Sequence, residues 1–216
     1  MQLHRFHPKS QQRGFTIVEL LIATLVFSVV LVLVTMGILQ VTRVYYKGVT
    51  ESNTQNAARN IMDTIAQAIQ FNGGIVTETT DTPTAGTSYA FCVGNEQFSY
   101  MLGYQLSDTL PLLANQTQHA LVVASAVAGC SGAPAQNLAG GAINGHELLS
   151  PHMRLANLEV NNVGTNLYEI HVTVAYGDDD LLNNPTDPAA SCRGITAGTQ
   201  FCSVSDLTTT VLKRVQ

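Results

Sequence analysis

Three patterns of apolar spacing follow one another along the chain. Residues 15–39, "FTIVELLIATLVFSVVLVLVTMGIL", are apolar almost without a break. From Ala58 the apolar positions thin to one stripe: Ala58, Ile61, Met62, Ile65, Ala68 and Ile69 recur at helical spacing. Asn56, Arg59, Asn60, Asp63 and Gln67 fill the other side. No proline occurs between residues 15 and 82, so both patterns read as one helix over 15–72, closed by Gly73-Gly74. At 1.5 Å per residue such a helix runs about 87 Å. Its weak point is residues 50–56, "TESNTQN", whose side chains compete for the backbone and where a bend or break is expected. Beyond Gly74 the period falls to two. Strands are expected over 75–78, 89–93, 98–106 and 120–127. Residues 129–145, "GCSGAPAQNLAGGAING", form an irregular excursion. A hairpin is expected over 155–163 and 167–176, joined by Gly164-Thr165-Asn166. In its second arm Tyr168, Ile170, Val172, Val174 and Tyr176 alternate with Glu169, His171, Thr173 and Ala175, a half-buried strand. A last strand is expected over 207–215. The class is α+β: a long N-terminal helix, half membrane-spanning and half amphipathic, packed on an antiparallel sheet.

Composition sharpens the first segment. Only 12% of the 216 residues are charged, and there is no Trp. Residues 1–14 hold Arg5, Lys9 and Arg13 and no acid, whereas residues 15–216 carry 7 basic and 15 acidic side chains, a net −8. That acidic remainder does not favour general nucleic-acid binding. The 25-residue apolar run is longer than the core of a secretory signal and has no A-x-A site after it. It suits a transmembrane helix, with the basic leader on the cytoplasmic side. A plain anchor does not account for Glu19, since a carboxylate at bilayer depth costs about 2.5–3.5 kcal/mol.

The order Gly14-Phe15-Thr16-Ile17-Val18-Glu19, after a short basic leader and before about twenty apolar residues, resembles the prepilin cleavage and methylation motif. By these residues the chain resembles the type IV pilin and pseudopilin superfamily, and within it the PilW-type minor pilins or the J-type pseudopilins. The resemblance covers residues 8–40. It implies cutting between Gly14 and Phe15 by a prepilin peptidase, where Gly14 offers no Cβ bulk. It implies N-methylation of Phe15. It also implies pairing of Glu19 with the Phe15 amine of a neighbouring subunit, two charges that compensate each other in apolar surroundings. The partners implied are the peptidase, other pilin subunits, an inner-membrane assembly platform, and the membrane itself before assembly. Location would be the inner membrane, single pass, with an extracytoplasmic C-terminal part, then an extracellular pilus. Gly37 lies where major pilins often carry a proline, so loosening of the helix at that point is not expected in the same form. The division implied is a leader at 1–14, a membrane and filament-core helix at 15–40, its amphipathic half at 41–74, and a β-rich domain at 75–216.

The remaining chemistry is sparse. Cys92, Cys130, Cys192 and Cys202 form no CxxC pair; an even number behind a membrane segment suggests two disulfides, against four buried thiols. Pairing in chain order joins Cys92 to Cys130 and Cys192 to Cys202; two other connectivities stay open. A C-terminal disulfide loop is a feature of pilins, where it meets neighbours or ligands. "YGDDDLLNNPTDP" gathers Asp178, Asp179, Asp180 and Asp187 with Asn183 and Asn184. Such oxygen donors suit Ca²⁺, and some pseudopilins bind calcium in such loops, but the spacing is not that of an EF-hand and equally describes a solvated turn. No other cofactor is expected. His146-Glu147 lacks the second His of a zinc-protease helix, and there is no nucleophile elbow, Walker A or dinucleotide fingerprint. The expectation is a structural filament subunit of a type IV pilus, not an enzyme. A type II secretion pseudopilin, or a membrane-anchored extracellular enzyme or binding module, are the alternatives.

Overall fold

The computed structural model describes residues 14–72, 76, 88–106, 119–125, 138, 145–184, 189–194 and 198–214. The leader residues 1–13, the Gly73-Gly74 pair, Cys130, Asp187, Val215 and most of 129–145 lie outside the described residues, as does the expected strand at 75–78 except Val76. The chain divides into two compact units, Met1–Arg43 and Val44–Gln216.

One helix, α1 (Ile17–Phe71), accounts for both helical patterns. It runs through Gly37, Gly48 and the "TESNTQN" stretch without interruption, so the break expected at 50–56 does not occur. The reason is that Thr50 and Thr54 are buried, and the Thr54 hydroxyl donates to the Thr50 carbonyl at 2.8 Å. Bonded in this way, the hydroxyl no longer competes with the helix. The buried stripe therefore begins about two turns before its apolar members: Thr50, Thr54, Ala58, Ile61, Ile65, Ala68 and Ile69. Met62 lies only at its half-buried margin. Ile61, Ile65 and Ile69 are fully buried, each contributing roughly 1.5–3 kcal/mol relative to exposure.

Within Val44–Gln216 this stripe packs on antiparallel sheets. The first holds β1 (Ser88–Val93), β2 (Glu96–Met101), β3 (Leu121–Ser125) and β4 (His146–Glu147), in that order. Phe91 and Phe98 face one another across β1 and β2 with their rings stacked at 4.9 Å. The turn between these strands needs Gly94. Its φ is +58°, and a Cβ there would meet the Asn72 carbonyl oxygen at 2.6 Å. β2 ends at Met101 rather than running to 106, because the chain turns at Leu102-Gly103 and Gly103 takes a φ of 79°.

The second sheet has the order β5 (Met153–Gly164), β6 (Leu167–Tyr176), β9 (Ser203–Leu212). The expected hairpin is present, with Gly164 paired to Leu167 and Asn166 in the left-handed region at φ 57°. Tyr168, Ile170, Val172 and Val174 face the shared core with the helix stripe and Phe91, Phe98 and Tyr100. The alternate face of β6 is exposed only in part. Ala175 is buried against Leu181, Leu182 and Cys202, and Thr173 is also buried, so the far end of the strand is covered on both sides. The last strand begins four residues earlier than its apolar pattern and stops at Leu212, since Ser203 and Ser205 point inward. A short pair, β7 (Leu182–Asn183) and β8 (Ser191–Cys192), completes the fold.

Candidate functional site

The segment singled out by sequence sits at the start of α1. Nothing lies within 4 Å of where a Cβ on Gly14 would stand, and Phe15 is 81% exposed. Thr16 caps the helix. Its Oγ1 accepts from the Glu19 N–H at 3.2 Å and donates toward Glu19 Oε2 at 3.5 Å, while its carbonyl accepts from the Leu20 N–H at 3.1 Å. Glu19 lies in the first turn, where the helix dipole favours a negative charge. Thr16 was not among the residues selected from sequence. Its signal is T-x-x-E, the pattern of a capping box, hidden because the same letters belong to a longer motif.

Past Glu19 the apolar side chains are exposed, among them Leu21, Leu25, Val29, Val32 and Met36. The helix is long and apolar enough to cross a membrane. Its hydroxyls do not spoil this. Thr24 donates to Leu21 O at 3.0 Å, Ser28 to Thr24 O at 2.7 Å, Thr35 to Leu31 O at 2.8 Å and Thr42 to Ile38 O at 2.9 Å. Each is satisfied within the helix, as a lipid environment requires.

The C-terminal cysteines are joined: Cys192 and Cys202 form a disulfide with their Cα atoms 5.8 Å apart. Cys92 is also disulfide-bonded. The Cys192–Cys202 link is fastened to the helix. Lys47 Nζ donates to the Cys202 carbonyl at 2.6 Å, and the Phe201 ring lies 5.6 Å from that of Tyr46. Neither contact was legible in the sequence, being made across about 155 residues.

The acidic loop after β6 is tied to the protein as well. Arg154 is buried, and its guanidinium donates to Gly103 O at 3.1 Å, to Gly177 O at 3.0 Å and to Asp179 Oδ1 at 2.5 Å. Gln105 Nε2 donates to Gly177 O at 2.7 Å and to Asp178 Oδ1 at 3.3 Å. Asp180 is exposed. Among the described residues no three His, Cys, Asp or Glu side chains converge as metal ligands.

A half-buried carboxylate occurs elsewhere, at β4. Glu147 accepts the N–H groups of Leu121 at 3.0 Å, Leu149 at 3.1 Å and Ala120 at 3.1 Å. His119 Nδ1 lies 3.4 Å from its Oε2, a charge contact without hydrogen-bond geometry. Burial raises the Glu147 carboxyl above its ordinary value; the three amides and His119 oppose this without reversing it. Burial, with Tyr89 and Glu159 nearby, likewise raises the Tyr100 phenol.

An apolar, self-satisfied N-terminal helix joined to a helix-on-sheet unit defines a class: membrane-anchored subunits with a pilin-like α+β organisation. Residues 9–35 match the family described as the prokaryotic N-terminal methylation motif, which supports a type IV pilin-like or pseudopilin precursor. That motif implies processing by a prepilin peptidase and assembly with other pilin subunits. No curated protein and no solved structure matches the chain.

Proposed function

We propose that the chain is a minor structural subunit of a type IV pilus. It is made as a prepilin, cut between Gly14 and Phe15, N-methylated on Phe15, and assembled through the apolar part of α1. The observation that carries this reading is the start of that helix. Gly14 and Phe15 are open to a peptidase, and Glu19 presents the one carboxylate of the apolar run a single turn beyond the amine that cutting would create. In a filament the Glu19 carboxylate of one subunit meets the Phe15 amine of the next. Away from water each compensates the other's lost hydration. The apolar side chains exposed in the single subunit supply the contact area, and Thr16 holds Glu19 in place until a neighbour arrives.

The test combines two measurements. Mass spectrometry of the mature chain is expected to find a methylated Phe15 at the N-terminus; an intact leader refutes the reading. Glu19→Ala is then expected to leave insertion and cutting intact and to remove the subunit from purified pili. Normal incorporation of that variant shows the carboxylate to be merely tolerated. Recovery of the subunit only with a type II secretion filament reassigns it to the pseudopilins.

A further inference from the structure

We propose that Tyr45, Tyr46 and Phe201 form an aromatic collar that lies in the headgroup layer of the membrane while the subunit is anchored there. The inference rests on the membrane-anchored reading and adds a second attachment to it. Phe201 is a large apolar side chain left 43% exposed beside the disulfide. It is held on the Tyr46 ring, and Tyr46 in turn meets Tyr45 edge-on at 5.9 Å. All three rings remain open to solvent, Tyr45 at 66% and Tyr46 at 46%. The Lys47 bond to the Cys202 carbonyl fixes the loop to the helix at this level.

Chain connectivity says what covers them. Tyr45 follows Leu39, the last residue of the apolar run, by six residues, about 9 Å of helix. The interfacial layer adds about 5–8 Å on each side of a ~30 Å hydrocarbon core, and helical side chains lean back toward the helix N-terminus, which returns the Tyr45 ring from about 9 Å toward that layer. Tyr rings with an apolar body and a polar tip are the side chains that settle there. Both signs are present nearby: Arg43 and Lys47 flank the two tyrosines in the chain, and Asp178 lines the same hollow as Phe201. Attachment is therefore carried by the rings, and it holds on vesicles of neutral lipid.

The absence of Trp from the chain makes the test direct, because each single Trp introduced is the only one present. The full chain is reconstituted into phosphatidylcholine vesicles containing lipids brominated at shallow or deep acyl positions. Four variants are compared: Leu25→Trp in the apolar run, Tyr46→Trp and Phe201→Trp in the collar, and Val163→Trp near the hairpin turn. The last is separated from the collar by the ten-residue strand β6, about 33 Å. Leu25→Trp is expected to be quenched by deep bromines. Tyr46→Trp and Phe201→Trp are expected to shift to the blue and to be quenched by shallow bromines, with Val163→Trp unquenched. If Leu25→Trp is quenched while the collar variants match Val163→Trp, the collar is refuted and the anchor stands. If Leu25→Trp is itself unquenched, the anchor reading fails and takes the collar with it. Blue-shifted but unquenched collar emission means that another protein copy covers the rings, and also overturns the proposal.

Discussion

Arg154 and Asp179 form a short ion pair, yet their burial is so unequal that cutting it from the two sides should give different results. The Arg154 side chain is 3% exposed, that of Asp179 79%. An ion pair with one partner in water is worth at most about 1 kcal/mol. The two carbonyl bonds are another matter. Hydrogen bonds to a charged group contribute about 1.5–3 kcal/mol each. Gly177 O keeps its bond from Gln105 when the guanidinium is removed, whereas Gly103 O loses the bond that Arg154 gave it. Arg154→Met, which keeps the apolar stem, is therefore expected to cost about 3–4 kcal/mol, and Asp179→Asn less than about 1 kcal/mol. The assay is urea unfolding of the full chain in detergent, followed by tyrosine fluorescence. With a slope of about 2 kcal/mol per M, Arg154→Met moves the midpoint down by about 1.5–2 M and Asp179→Asn by under about 0.5 M. Equal shifts in the two variants would refute the reasoning, because the bridge would then owe its strength to the carboxylate. So would an Arg154→Met midpoint within 0.5 M or so of the parent.

Two further outcomes follow from the C-terminal unit. Because burial raises the Glu147 carboxyl above its ordinary 4.5, the folded state holds that proton more tightly than the unfolded chain does. The site's stabilisation is complete below pH 4.5 and is lost as pH rises through the raised value, so Glu147→Gln is expected to flatten the fall in stability across that window, as unfolding midpoints measured at a series of pH values would register. Replacing Cys192 and Cys202 together by Ser is expected to cost roughly 3 kcal/mol by loop entropy, read by the same urea titration, and to loosen Phe201 from Tyr46.

The elements legible in the sequence are those whose side chains alternate in step with one buried face. The hairpin of β5 and β6 and the helical stripe at Ala58–Ile69 are of this kind, because apolar residues occupy the positions that burial demands. Polar residues on a buried face hid the rest. Thr50 and Thr54 extend the stripe, and Ser203 and Ser205 start β9, all with small side chains that fit a tight contact. β4 is two residues long and carries no period at all. At the helix start the candidate residues Gly14, Phe15 and Glu19 stand in one local stretch. Thr16 was written in the same letters but with a different grammar, that of a cap. The seat of Phe201 on Tyr46 was not legible, since it depends on how the whole sheet returns the C-terminal chain to the helix. The tie of Asp179 to Arg154 was not legible either, since the Arg154 charge reads as a surface residue until it is seen buried.

The hydroxyls of Thr24, Ser28, Thr35 and Thr42 each turn back onto their own helix. Past Glu19, such a helix asks for no polar partner from whatever surrounds it. Fatty-acid tails and the apolar flanks of sister helices are equivalent company for that stretch, and exchanging one for the other leaves the Glu19 pair as its one polar change. In the filament we propose, the passage out of the bilayer is therefore a change of solvent rather than a change of structure. The work the assembly machinery must do is set by whatever apolar area goes briefly uncovered. Once the Glu19 pair is released, the same indifference lets a subunit return to the membrane as the helix it was when it left.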